Sequence, residues 1–594
     1  MATADRFWRG VLATVSLLAG LSALPLLPIG MWNGTQTLMF EIAFILHAIF
    51  PAIAVIAAGL YLFNLLHSSA LPVWLTLGSL AVFLALIVVQ SLLPITARDA
   101  LIHHLAVPRW WLLTGKIEPL PWHSWSFYPM LLQLGFSGWL HFGLEQVTPF
   151  YHGAFLLLLC ANTAVFIETK SANRELALFG FILIFTIPIC LRLAASPLVD
   201  LGLALFVALG LYTAVYWAEE KQSNIWLLAC GLSWGLALGC KLNALLACGL
   251  FFPSMLVLGQ RTKIKTSSLS RSLLVAGLLA LALYSPWMLR NFSWTGNPFY
   301  PLFKSYFAET PSSWSPPSLS PLQQRKLLYG ENLYEISALP LRIFFTGQDG
   351  NPKYFDGRLT PLLLLALPAL AFAKRFPWVP SFFLFSLFYL LFALLVAGAR
   401  IRYLAPLYGP LTALASFGLL WICTHTAPKT RLKILSLFLV LQGAYSLWYG
   451  AGWFKNSAAL SYLFGETSKQ EYLRSHVDEF RMIEYINQNL PAEALTYLLF
   501  TGNRFYYYNR PVISGGHFSA SLVFDWIKKS ATAGELLEYF KKRGIQYLMA
   551  HAARAKDSFQ TNLNEREKQL WNEFAKEHLN LIHNADGYLL WRIN

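Results

Sequence analysis

Charge is scarce in this 594-residue chain: Asp, Glu, Lys and Arg make up 13%, against 56% hydrophobic residues. That balance excludes an ordinary soluble globular protein, in which about a quarter of residues are charged. Acids are scarcer than bases, 30 against 45. Cysteine is scarce too. Cys160, Cys190, Cys230, Cys240, Cys248 and Cys423 all fall in apolar stretches and form no CxxC pair, so neither a disulfide framework nor a thiolate metal site is indicated. No internal repeat is visible, and the one low-complexity tract, Ser/Pro-rich 311–321, reads as an irregular loop.

What the chain has in quantity is apolar and aromatic. With 15% aromatics, 21 Trp and a mean hydropathy of +0.49, it fits a polytopic membrane protein, whose ring side chains settle at the membrane–water boundary. Charge density rises after Trp453: residues 1–453 hold 28 Lys/Arg and 15 Asp/Glu, residues 454–594 hold 17 and 15. The first part therefore reads as membrane and the tail as a soluble domain. Net charge divides as +13 and +2, as expected of loops facing an anionic cytoplasmic leaflet. A nucleic-acid partner is excluded, because no basic face is concentrated in the tail.

Apolar stretches long enough to cross about 30 Å of hydrocarbon predict thirteen helices, near 8–31, 38–65, 71–94, 149–168, 175–195, 198–217, 225–240, 242–259, 272–289, 361–373, 380–397, 403–424 and 433–453. In the first, the apolar run from about Val11 to Gly30 that follows Arg6 and Arg9 is too long for a cleaved signal and reads as a retained anchor. Loops holding Arg261, Lys263, Lys265 and Arg271, then Lys374 and Arg375, then Lys429, Arg431 and Lys433 read as cytoplasmic. An odd number of spans puts the N-terminus inside and the tail outside. Parity holds at each basic loop if 127–143 does not cross, so that segment reads as a helix lying in the outer interface with its Trp, Tyr and His among headgroups. The outer side then carries loops 95–148 and 290–360 and the tail. The tail predicts a small α/β domain, with helices near 472–489, 520–529, 533–542 and 564–577 and strands near 495–500, 545–550 and 587–592. Its aromatic run Phe505 to Tyr508 and the Gly515–Gly516 pair read as structure, or as a lid or acceptor-docking surface.

Ionisable groups at membrane helix ends are costly, and several share the outer side. Asp99 follows the third span, Asp200 opens the sixth, Lys241 lies between the seventh and eighth, Arg290 ends the ninth, and Arg400 and Arg402 precede the twelfth. Two acids and several cations at one depth suit a reaction that removes a proton and releases an anion. Each has a plainer reading. Asp99 is also a favoured helix N-cap. His103, one turn on, either pairs with it on a metal or is an interfacial His. Asp200 is also a helix-start acid, Arg290 a helix-end anchor, and GNPFYP at 296–301 a turn. Trp110, Trp111, Trp122 and Trp125 read as interfacial anchors, or as platforms for sugar rings. Lys241 interrupts a largely apolar stretch, and unless it snorkels it requires a ligand or a partner.

At these residues the chain resembles the GT-C class of integral membrane glycosyltransferases, which includes protein O-mannosyltransferases and the bacterial lipid A aminoarabinose transferase. RDALIHHLAVPRWWLLTGKI at 98–117 resembles the first outer loop of that class, with Asp99, His104 and Pro108 matching a D-A-L-x-x-H-L-A-x-P pattern of one bacterial branch. SFYPMLLQLGFSGWLHFG at 126–143 is similar to its second interfacial helix. SPLVDLGLALFVALGLY with ALGCKLNALL resembles the middle of the core, and PWMLRNFSWTGNPFYP with RIRYLAPLYGP the segments around the second outer loop and a later span. The similarity covers most of 71–424. Two spans precede the first of the class, and its acidic pair is here Asp99–Ala100, which puts a second carboxylate beside Asp99 in doubt; Glu118 or Asp200 could supply one from elsewhere.

The resemblance implies a GT-C-like polytopic α-helical fold of about thirteen spans: extra N-terminal helices in 1–70, a catalytic membrane domain in 71–453 and an extracytoplasmic α/β domain in 454–594. It implies inverting transfer of a sugar from a polyprenyl-phosphate donor to a lipid, polysaccharide or protein acceptor at the outer face of a bacterial inner membrane. Asp99 would be the general base, Lys241, Arg290 and Arg402 would receive the donor phosphate, and Asp200, His103, His104, Glu118 and Tyr403 would be candidates for contact with sugar or acceptor. Cations can compensate the leaving phosphate directly, so no cofactor is expected to be obligatory; a divalent metal is the alternative. A secondary transporter or lipid flippase would show repeated halves with paired broken helices, and neither is visible. An oligosaccharide ligase of another membrane fold would place its base on a late outer loop.

Overall fold

A computed structural model describes residues 2–307, 319–396, 398–515 and 521–594; the tract 311–318 and Gly516 lie outside the described residues. Among these, ten helices are long and apolar enough to cross a membrane, or eleven if the bent pair Arg174–Thr186 and Pro188–Ala194 is one span. The chain is a multi-pass membrane protein. The two other expected spans correspond to shorter apolar helices, Asn224–Cys240 and the run Pro361–Phe372. The chain divides into two compact units, one of Met1–Leu93, Pro129–Trp287 and Leu319–Ala459, the other of Pro94–Tyr128, Met288–Ser318 and Leu460–Asn594.

The membrane unit is built around the helix Asp200–Glu219, buried from Asp200 through Trp217. Its sequence is apolar on every face, which is what a helix surrounded by other helices requires. At its C-terminal end Glu220 pairs with Arg9, whose guanidinium lies 4.4 Å above Tyr216 and 5.0 Å from the ring of Trp226, and Glu219 pairs with Lys170. Twenty residues span about 30 Å, so Asp200 lies at the opposite end from this cluster.

The bent pair has a stated cause. Pro188 removes a donor and drives Ile187 to an extended conformation (φ −58°, ψ 125°), and the helix turns by 65°. The freed carbonyl of Thr186 accepts from Ser446 Oγ at 2.6 Å and Gln442 Nε2 at 3.2 Å, and Gln442 Oε1 accepts from Thr360 Oγ1 at 2.6 Å. Side chains of a neighbouring helix thus satisfy backbone that lipid cannot.

Segment 127–143 is expected not to cross, and its helix, Leu131–His141, has 11 residues, about 16 Å and too short to cross. Leu131 through Gly138 are buried within the unit, while Trp139 and His141 are partly exposed and His141 meets Glu41 at 2.9 Å. Closer still is the seat of the helix Tyr408–Ile422, where a Cβ on Gly418 would stand 1.7 Å from the carbonyl oxygen of Leu365. Backbone cannot yield as a side chain does, so Gly418→Ala should cost about 1–3 kcal/mol. Thermal unfolding in detergent measures it, and an unchanged midpoint contradicts this packing.

The second unit carries a five-stranded sheet, β1 (Thr496–Leu499), β2 (Val512–Ser514), β3 (Tyr547–His551), β4 (Leu579–Ala585) and β5 (Tyr588–Ile593), in the order β2-β1-β3-β5-β4. β1 pairs parallel with β2 and β3, and β5 antiparallel with β3 and β4. β1, β3 and β5 match the expected strands; β2, β4 and the helix Ala552–Asn562 are additional. The helix expected over 472–489 is two, Lys469–His476 and Phe480–Asn489.

At the break between them Glu479 is 1% exposed and receives Arg504 Nη1 at 2.5 Å. Burial pushes its carboxyl from 4.5 up to about 7 against the pull of Arg504 and, more weakly, Arg98. Between those values the folded protein keeps a proton that the unfolded chain has lost, so stability falls as pH rises through the window. Glu479→Gln should flatten the fall in apparent Tm of the full chain between pH 5 and 8; an unaltered slope contradicts the assignment.

Candidate functional site

The Lys241 side chain enters the membrane unit because helix stops beneath it. Asn224–Cys240 ends at Lys241, which is extended (φ −164°, ψ 142°), and Asn243–Arg261 begins two residues later. The ammonium reaches Asp200 Oδ1 at 2.8 Å, with the Lys side chain 20% and the Asp side chain 1% exposed. Asp200 Oδ2 is buried and has no hydrogen-bond partner among the described residues. Such an oxygen carries a desolvation penalty that a ligand donor would remove.

His152 fixes where this carboxylate sits. Its Nδ1 lies 2.9 Å from the carbonyl of Leu193 and 2.8 Å from that of Ser196, and its Nε2 accepts from Leu201 N–H at 3.0 Å. Carbonyls only accept and an amide N–H only donates, so the ring is the neutral Nδ1–H tautomer. It caps the first turn of the helix that Asp200 opens.

Tyr403 lies beside the pair. Lys241 Nζ is 5.4 Å from its ring centroid and Arg402 Cζ likewise 5.4 Å, both within cation–π range. Its segment, the 3-10 helix Ile401–Leu407, is held by Tyr389 Oη donating to the Tyr403 carbonyl at 3.2 Å and Tyr408 Oη to that of Ile401 at 3.0 Å. Asp200, Lys241, Arg402 and Tyr403 are thus brought together, and their formal charges sum to +1.

The sequence reading missed a neighbouring group. Arg192, on the short helix after the bend, meets Asp349 at 2.8 Å and Asp356 at 3.5 Å, and Tyr449 Oη donates to Asp349 at 2.6 Å. The charge of Arg402 acts on Arg192 from nearby. A cation inside ICLRLAASP was a signal of the same kind as Lys241.

The other expected residues belong to the second unit. Asp99 is half-buried and precedes a π-helical turn, Ala100–His104, without capping it through its side chain. His103 stacks on Trp125 at 4.9 Å, and His104 is 3% exposed with its ring 3.9 Å from that of His103. Glu118 offers its carbonyl to Trp111 Nε1 at 3.0 Å, which makes Trp111 structural. Arg290, expected as a phosphate ligand, is 2% exposed and donates through Nη2 to the carbonyls of Phe127 (2.6 Å) and Tyr128 (3.0 Å) and through Nε to Asn291 Oδ1 (3.1 Å). These are the contacts of a clamp on the loop that holds Phe127 and Tyr128. The aromatic run of the tail packs on the Asp99 segment: Tyr506 N–H donates to Leu101 O at 3.2 Å and Tyr507 Oη to Ile95 O at 2.8 Å. Among the described residues no three His, Cys, Asp or Glu side chains are placed to hold a metal ion.

Residues 127–330 match a family described as "Domain of unknown function (DUF8201)". No curated protein matches the chain by sequence. Among solved structures, the chain is similar to ArnT from Cupriavidus metallidurans bound to undecaprenyl phosphate, at TM-score 0.52 and 14% identity over 87% of this chain and 97% of that one. The same protein in the apo state gives 0.50 and 15%, over 87% and 98%. The archaeal oligosaccharyltransferase AglB from Archaeoglobus fulgidus gives 0.43 and 9%, over 99% and 74%, too low to bear on the reading. The likeness to ArnT is one of fold.

Within this fold the Asp200–Lys241 pair makes a direct energetic demand. Lys241→Met strands a buried carboxylate and should cost about 3–5 kcal/mol, whereas the double variant with Asp200→Asn should recover most of the loss. Thermal unfolding of the three variants tests the coupling; additive losses contradict it.

Proposed function

We propose that the protein is an inverting membrane glycosyltransferase that moves a sugar from a polyprenyl-phosphate donor to an acceptor at the outer face of a bacterial inner membrane. The observation that carries this reading is the Asp200–Lys241–Tyr403–Arg402 cluster, with Asp200 and Arg402 buried, where cations exceed acids by one and a carboxylate oxygen is left open. The similar ArnT structure holds undecaprenyl phosphate, a ligand of the chemistry such a cluster would receive.

In the proposed step the acceptor hydroxyl or amine gives its proton to Asp99 while its lone pair attacks C1 of the sugar. The bond from C1 to the phosphate oxygen breaks on the opposite face, and its electron pair leaves on that oxygen. Lys241 and Arg402 compensate the charge of the departing polyprenyl phosphate, Arg402 being suited to a two-point grip. Arg290 keeps the outer loop in place, and His103, His104, Glu118 and Tyr403 remain the candidates for contact with sugar or acceptor. Thirteen crossings are retained in the proposal, counting the bent pair and the two shorter helices. The end holding Arg9 and Lys170 then faces the cytoplasm and the end holding Asp200 faces out, with the tail on the outer side.

A second assignment of the base has its own support, since Asp200 Oδ2 is the buried carboxylate oxygen without a partner. One assay separates the two. Full-length protein in nanodiscs with a labelled polyprenyl-phosphate sugar should release the carrier phosphate, with Asp99→Asn losing about 10²–10⁴-fold in turnover and Arg402→Ala about 10²–10³-fold. Full turnover in Asp99→Asn together with loss in Asp200→Asn would transfer the role to Asp200.

A further inference from the structure

The C-terminal domain holds a cavity that glycosyl transfer leaves unused. One face of its sheet points Leu499, Leu548, Ala550, Leu589 and Trp591 toward the helices Ala552–Asn562 and Glu565–His578. Elsewhere that layer is a packed core of Val523, Phe524, Leu536 and Phe540. The last two helices are joined by Leu563 and Asn564, and near this turn the rings of Phe559 and Trp571 close the gap at 4.7 Å. Beyond those rings the lining side chains are short, Ala552 and Ala555 on one helix and Ala575 on the other. They leave a slot of about 440 Å³ that opens to solvent.

Interiors are normally filled to the density of organic crystals, and sites for small molecules occupy about 300–1,000 Å³ with mostly apolar walls. The slot meets both terms of that description: its walls are apolar, and its charged lining residues among those described are Lys556 and Lys568. The polar remainder of the lining is Gln560 and Asn572, and no carboxylate joins them. Lys568 also meets Glu565 at 2.8 Å, but that carboxylate is 85% exposed, and a surface pair of this kind is held weakly. Two lysines at the rim of an apolar slot select a molecule with an apolar body and an anionic end. The volume matches one acyl chain.

We infer that this slot binds a single-chain anionic amphiphile, with its acyl chain between the two helices and its carboxylate on Lys556 and Lys568. The site is separate from the glycosyl-transfer reading and does not depend on it.

The test uses full-length protein in phosphatidylcholine nanodiscs, photolabelled with a diazirine-bearing hexadecanoic acid and mapped by mass spectrometry. Adducts are expected on the helices lining the slot as well as on the membrane spans, the latter serving as an internal reference. Ala575→Trp, which fills the slot, should lower slot adducts about tenfold relative to that reference. Ala552→Leu provides a second filling variant should the first unfold. Lys556→Glu with Lys568→Glu should lower labelling by the acid and spare labelling by the matching diazirine alcohol. Adducts confined to the spans, or slot adducts unmoved by either filling variant, overturn the site. Equal labelling of the charge-reversed protein by acid and alcohol overturns the anionic assignment.

Discussion

A lysine does not sit inside an apolar helical bundle without an anion beside it, and much of the membrane unit is arranged around that requirement. Lys241 reaches inward because two helices stop and restart at it, and Asp200 meets it because a neutral histidine caps the helix that Asp200 opens. Both devices use backbone hydrogen bonding to place charge. Neither Asp200 nor its histidine can shift without uncovering polar groups in a medium that offers them no water. The result is a fixed pair with one carboxylate oxygen still open.

Around the pair the same constraint is met repeatedly. The 65° bend at Pro188 exposes a carbonyl, which Gln442 and Ser446 cover, and the helix after the bend presents Arg192 to Asp349 and Asp356. Two tyrosine hydroxyls hold the carbonyls of the 3-10 segment that carries Arg402 and Tyr403. A polar interior built this way is rigid. Rigidity is what transition-state stabilisation by pre-placed charge requires.

The ten long spans were legible because composition and length suffice to define them. The bent and short ones were located as apolar runs, but whether they cross was not legible, since 12 to 17 apolar residues are equally compatible with a buried helix. The Trp, Tyr and His of 127–143 suggested an interface, while the close seating of its helix through Gly135 and Gly138 was not legible, since the residues they pack against are distant in sequence. In the tail, β4 has too polar a sequence to read as a strand, although Asp586–Gly587 is a hairpin turn signal; both residues have positive φ there. Within the candidate site, charges inside apolar runs pointed to Asp200, Lys241 and Arg402. Arg192 escaped because it lay within an expected span and its partners are more than 150 positions away. At Arg290 backbone carbonyls and Asn291 meet the demand of burial through Nε and Nη2, partners that its position at a helix end did not show.

The central claim is that the cations beside Asp200 receive a lipid-linked phosphate. Cryo-electron microscopy of the full chain in nanodiscs loaded with a polyprenyl phosphate tests it most directly. The account predicts phosphate density within hydrogen-bonding reach of Lys241 Nζ and the Arg402 guanidinium. Phosphate bound elsewhere, with the Lys241–Asp200 contact and its surroundings unaltered, would contradict it.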